Sequence, residues 1–152
     1  MAIYEITYTR RLVSDETPEK LTGPVQASSY LMRHCFKESE LWREEVYAIY
    51  LDSGNNVIGH ALLAIGGYDS ARPDIRLLAK AALDSGAAGV ILAHNHPSGD
   101  PRPGQSDIKV TCELRKGLNT LGVTLIDHVV IGDRRYFSFS EEIEGIIQVK
   151  DK

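Results

Sequence analysis

The stretch HNHPSGDPRPGQSD, residues 94–107, decides how this chain is read. It holds two histidines one residue apart, a loop of Pro, Gly and Ser, and then an aspartate. The apolar run before it, Ala88 to Ala93, reads as a buried strand. Strand side chains have period two, so His94 and His96 point the same way where that strand ends. Asp107 opens a predicted helix whose stripe is Val110, Leu114, Leu118 and Leu121, and that spacing puts Asp107 on the buried face. Taken singly, a strand-end histidine usually packs and a first-turn aspartate usually caps its helix. Taken together, two imidazoles and an inward carboxylate make three ligands for a zinc-like metal, with a fourth position left for water. A buried carboxylate without a partner is costly, and little nearby cation is available to neutralise it.

These residues carry a resemblance. HNHPSGDP, then Asp107, then LIDHVVIG at 125–132, resembles the RadC family, whose members carry a JAMM/MPN metalloprotease-like domain. The JAMM pattern is a distant Glu, then His-x-His, seven residues, Ser, two residues, Asp. His94, His96 and Asp107 match it, whereas position 104 is Gly where the pattern has Ser. The resemblance covers nearly the whole chain. It implies an α/β fold of the α+β, mixed-sheet kind: a curved sheet sandwiched by helices, akin to the cytidine-deaminase fold. It also implies Zn2+ bound by His94, His96 and Asp107, and a Glu that serves as general base at the start of a strand. Aligning Arg43 and Leu51-Asp52 with the family places that Glu at Glu44. Glu45 is the rival; the two face opposite sides of the strand, and both sides look buried.

Working outward, 152 residues suffice for a single domain spanning 1–152 with a sizeable core. The charge is −4, from 17 basic and 21 acidic residues, which gives no electrostatic case for nucleic acid. The basic pairs Arg10-Arg11 and Arg134-Arg135 read as solvated edges. Cys35 and Cys112 lie far apart and form no thiolate zinc motif, so both read as reduced, packed thiols. With neither a signal peptide nor a long apolar span, a soluble cytoplasmic protein is expected, with no membrane contact.

Residues 3–13 alternate as an edge strand, along which two copies would pair if the chain is a homodimer. A helix is predicted from Pro24 to about Lys37, with Ala27, Tyr30, Leu31, His34 and Cys35 as its packed stripe. A hairpin follows, 43–52 with 57–67, turning at Ser53–Asn56, where Gly54 and the two asparagines can adopt positive φ. His60 on its return strand reads as structural. The 66–70 loop reads as a turn or a groove wall. Pro73-Asp74 starts a helix with the stripe Ile75, Leu78, Ala79, Ala82 and Leu83. After the metal loop and its helix, 123–132 and 134–140 form a last hairpin through Asp133, and the tail adds at most a short helical turn. Asp127 alternates with Val123, Leu125 and Val129. It is either a carboxylate that orients a ligand imidazole or a structural one; His128, on the opposite face, reads as structural.

The function expected is zinc-dependent hydrolysis of peptide or isopeptide bonds, with a metal-activated water and Glu44 as base. The resemblance assigns the motif Ser to oxyanion stabilisation, so Gly104 puts turnover in question while leaving metal binding intact. Ser98, Ser106 or the Gly104 N–H are the possible substitutes. The alternatives are a non-catalytic metal-binding or protein-interaction MPN module, and a DNA-repair accessory. The last finds no helix-hairpin-helix module in residues 1–23 and no basic face. Zinc deaminases are excluded, since their His-x-Glu and Pro-Cys-x-x-Cys pair are missing.

Overall fold

The computed structural model describes residues 2–3, 5, 15–37, 42–66 and 72–143. Most of the expected 3–13 strand, part of the 66–70 loop and the C-terminal tail lie outside them. The elements run α1 (Pro24–His34), β1 (Glu45–Leu51), β2 (Val57–Ile65), α2 (Ile75–Ser85), β3 (Gly89–Asn95), α3 (Gln105–Thr120), β4 (Thr124–Ile131), β5 (Tyr136–Ser138) and a single-turn α4 (Phe139–Glu142). The strands form one mixed sheet in the order β2-β1-β3-β4-β5, with β3 and β4 parallel and the other neighbours antiparallel. Two crossovers through helices make this sheet, as an alternating strand and helix pattern requires.

Helices cover both faces. On one, Val46, Ala48 and Tyr50 of β1 and Val90 and Leu92 of β3 pack with Leu78 and Ala82 of α2 and Leu114 and Leu118 of α3. On the other, Ile49, Leu51, Ile91, Ala93, Val129 and Ile131 pack with Ala27, Tyr30 and Leu31 of α1. Every residue of β3 is buried, as its continuous apolar run requires of a central strand covered on both faces.

Local signals place the ends of elements. Pro24 stands in the first turn of α1. The Asp74 carboxylate caps α2 by accepting the Arg76 N–H at 2.8 Å, and Gly86 closes that helix in the left-handed conformation. In the β1–β2 turn only Asn55 takes positive φ, while Asp52 accepts the N–H groups of Gly54 and Asn56.

Three expected stripes differ from the structure. α1 ends at His34, which is exposed and lies against the Tyr30 ring at 4.5 Å instead of packing into the core. α2 turns Leu78, Ala81 and Ala82 to the sheet, leaving Ile75 and Leu83 over a third exposed; Ile75 seats beside Gly117 of α3. α3 buries Thr111, Leu114 and Leu118, and Leu121 is exposed because the helix stops at Thr120. β5 is also shorter than the expected 134–140, since Ser138 caps α4 and draws Phe139 and Ser140 into a helical turn.

Within β4 the alternation breaks. Val90 pairs with Leu125 and Ile91 with Asp127, so Ile126 is an extra residue in the ladder. Such a bulge reverses the faces of everything beyond it. Leu125 belongs to the α2/α3 side, Ile126, Val129 and Ile131 to the α1 side, and Val130 to the α2/α3 side again. Gly89 gives the bulge room, for a Cβ there would lie 2.2 Å from the Ile126 side chain.

Candidate metal centre

β3 delivers His94 and the residue after its end delivers His96, while the first turn of α3 delivers Asp107. The three converge. His94 Nε2 lies 2.9 Å from His96 Nε2 and 3.3 Å from Asp107 Oδ1, and His96 Nε2 lies 3.5 Å from Asp107 Oδ2. Ligand atoms held tetrahedrally around zinc at 2.0–2.1 Å stand about 3.3 Å apart, so the donor set fits such an ion in kind and spacing. Among the described residues this is the one His/Cys/Asp/Glu group so arranged, and it could hold a metal ion.

Two of the three are oriented by the backbone. The Nδ1 of His96 faces the carbonyl oxygen of Asp100 at 2.8 Å. A carbonyl has no hydrogen to give, so the neutral ring carries its proton on Nδ1 and keeps Nε2 free. The Asp107 Oδ2 accepts the Gly104 N–H at 2.8 Å, tying the carboxylate to the start of α3. Asp107 therefore caps its helix and faces the histidines at once. Burial opposes its charge, but the facing His94 and His96 imidazoles outweigh that and hold its pKa well below the carboxylate range. The same contact with Asp107 raises His96.

The centre opens onto a cleft of about 530 Å³ whose walls include Glu44, Arg72, Ser98, Ser106, Asp107 and His128. Glu44 and Glu45 separate here. Val46 pairs with His94 across β1 and β3, and Glu44, two residues earlier, shares its side and lines the cleft. Glu45 is buried on the other face and bonds to Arg43. Asn95, between the two histidines, accepts the Glu45 N–H at 2.8 Å and donates to the Arg43 carbonyl at 2.9 Å. It thus fixes the backbone on either side of Glu44, a role the sequence reading assigned to no residue.

The bulge at Ile126 decides between the two readings of Asp127 and corrects that of His128. Asp127 faces away from the centre and accepts from the His128 N–H, the Ser138 hydroxyl and the Ser140 N–H. Burial raises its pKa and these bonds oppose the rise. It is the structural carboxylate of the two options. His128 instead meets His94, with 2.7 Å between its Nε2 and the His94 Nδ1, and stacks on Phe139. Burial drives its pKa well down, keeping the ring neutral. Thr111 on α3 completes the set, its hydroxyl 2.6 Å from His128 Nδ1. The available signal for Thr111 was its place four residues after Asp107, on the same helical face.

Gly104 is exposed, and its N–H is already given to Asp107. Of the three expected substitutes for the motif hydroxyl, the two serines line the cleft and the Gly104 N–H is committed elsewhere.

Known proteins bear on this geometry. A family model described as "RadC-like JAB domain" matches residues 21–145. A UPF0758 protein of Methanococcoides burtonii is 39% identical over 142 residues, 93% of this chain and 60% of that protein. One from Thermotoga maritima is 41% identical over 130 residues, 86% of this chain and 57% of its own length. The chain thus spans about 60% of the relatives it matches. No helix among the described residues is long and apolar enough to cross a membrane. With the paired histidines at a strand end, the aspartate one loop later and the match from Leu21 to near the C-terminus, the chain belongs to the RadC-like JAB domain family.

Proposed function

We propose that the chain is a zinc-dependent hydrolase of peptide or isopeptide bonds in which Glu44 is the general base. The observation that carries this reading is the shared cleft: the Glu44 side chain lines the same cavity as the His94, His96 and Asp107 cluster. Zinc held by those three would supply a Lewis acid and a water acidified to near neutrality. Glu44 would take the proton from the attacking water and hand it to the leaving amine, a role that needs a carboxylate within reach of both. The substrate would be a peptide or protein chain laid along the cleft.

A second reading has its own support. Gly104 lacks the hydroxyl that the JAMM pattern places there, and a lost oxyanion donor costs about 2.7–4 kcal/mol of barrier. A metal-binding or protein-interaction module without turnover is therefore the alternative. Purified protein should carry about one zinc per chain, and His94→Ala or Asp107→Ala should abolish it, read by elemental analysis. Glu44→Gln should keep the metal and lose hydrolysis. The deciding experiment is an activity screen of zinc-loaded protein on peptide and isopeptide-linked substrates, wild type against Gly104→Ser. The serine has space: a Cβ at 104 meets nothing nearer than 3.7 Å. Turnover by wild type supports the hydrolase, and turnover by the serine variant alone supports the binding module.

A further inference from the structure

Two buried side chains stand between α3 and the back of His94, and the hydrogens in that chain of contacts can be assigned one by one. The Thr111 hydroxyl lies 2.6 Å from the backbone oxygen of Asp107. Two oxygens that close need a hydrogen between them, and a carbonyl has none, so the hydroxyl donates there. Thr111 Oγ1 also lies 2.6 Å from His128 Nδ1. Its one hydrogen is spent, so His128 Nδ1 is the donor in this second contact. The neutral His128 ring then has a bare Nε2, which stands 2.7 Å from His94 Nδ1. The hydrogen of that third contact must come from His94. A neutral His94 with its proton on Nδ1 presents a free lone pair at Nε2, the atom that faces His96 and Asp107.

We propose that Thr111 and His128 are positioning residues that lock His94 in its Nδ1–H form, so that Nε2 is the ligand atom offered to a metal. The inference rests on the metal-centre reading: only a cation lets His94 Nε2, His96 Nε2 and the Asp107 carboxylate all present lone pairs at 2.9–3.5 Å from one another. His96 gets the same orientation from the Asp100 carbonyl within its own loop. His94 gets it at the end of a side-chain relay that starts on the helix carrying Asp107. The packing supports a fixed ring: His128 stacks on Phe139 with 4.7 Å between centroids and 12° between planes, and Thr111 has no exposed surface.

The test uses the full chain, loaded with zinc, at about pH 8, above the ordinary imidazole range. Two-bond proton–nitrogen NMR correlations report which nitrogen of each histidine bears the hydrogen. Zinc affinity is measured separately by competition with a chromophoric chelator. Wild type should show His94 protonated on Nδ1. Thr111→Val keeps the shape but removes the acceptor for His128; it should mix the His94 tautomers and weaken zinc binding about tenfold or more. Thr111→Ser should restore both readouts, which a purely packing role for Thr111 would not produce. His128→Phe should lose the tautomer lock while filling the same space beside Phe139.

A wild-type His94 protonated on Nε2, or a folded Thr111→Val protein with unchanged tautomer and affinity, would overturn the proposal. If Thr111→Val fails to fold, the wild-type spectrum and the His128→Phe variant still decide. If wild type takes up no zinc, the metal-centre reading falls and the relay with it; if zinc binds but His94 carries its hydrogen on Nε2, the relay falls alone.

Discussion

Glycines decide how closely the loops at this centre approach one another. Gly99, at φ 84°, occupies the left-handed region that side chains rarely adopt, and it turns the loop carrying His96. Gly132 lies beneath that loop, and a Cβ there would come within 2.4 Å of the Gly99 oxygen and 2.9 Å of the Pro101 nitrogen. Both are backbone atoms, so the loop must move to admit a methyl group. Gly132→Ala should therefore cost about 1–3 kcal/mol in denaturant melts, the usual penalty for overpacking. It should also weaken zinc binding, because the displaced loop holds the Asp100 oxygen that orients His96. Unchanged zinc affinity in a destabilised Gly132→Ala protein would separate the loop's position from the centre's geometry. Asn95 is a further instance of a residue whose value is positional. The HNH letters draw attention to the histidines, but the amide between them brackets Glu44.

At the scale of elements, β4 carries the main lesson. Strict alternation puts Asp127 with Leu125 and leaves His128 opposite; one extra residue at Ile126 exchanges them. Nothing in LIDHVVIG marks that bulge, since Ile126 is an ordinary strand residue and the glycine that makes room for it lies on β3. The candidate metal ligands are legible because they are local: a strand end, a loop and a helix start within 94–107. Glu44 was placed through resemblance, and its separation from Glu45 became visible only when the β1–β3 register paired Val46 with His94. The three helical stripes shifted because periodicity defines an apolar face but not the width of the contact it makes. Asp127 supplies a test at this scale. It accepts three hydrogen bonds, two of which join β4 to β5 and α4. Asp127→Ala orphans two buried donors, the His128 N–H and the Ser138 hydroxyl, worth about 1–3 kcal/mol each. The variant should lose at least about 2 kcal/mol of stability in urea while, once folded, still binding one zinc. Loss of zinc from a folded Asp127→Ala protein would return this carboxylate to the metal centre.

For the whole molecule, the sheet separates two histidine environments, and the far one sets a pH response. His60 on β2 is half-buried, bonds Tyr30 at 2.8 Å and lies near His34. Burial, then the nearby His34 charge, lowers its pKa from 6.5. The unfolded chain therefore takes up this proton first as pH falls. His60 contributes a loss of stability that begins as pH drops through 6.5 and levels off below the folded value. Urea midpoints from about pH 7.5 down to pH 5 should fall more steeply for wild type than for His60→Gln, which keeps a partner for Tyr30. Parallel curves would remove His60 as a contributor. The strand order has another consequence. His94, His96, Asp107, Thr111 and His128 all belong to one strand–helix–strand unit between Gly89 and Ile131, whereas Glu44 arrives from the antiparallel neighbour. On the proposed function, grip and chemistry are thus housed in different segments of the polypeptide. A substitution or a slip confined to the outer hairpin would then silence the reaction and leave an intact chelator behind.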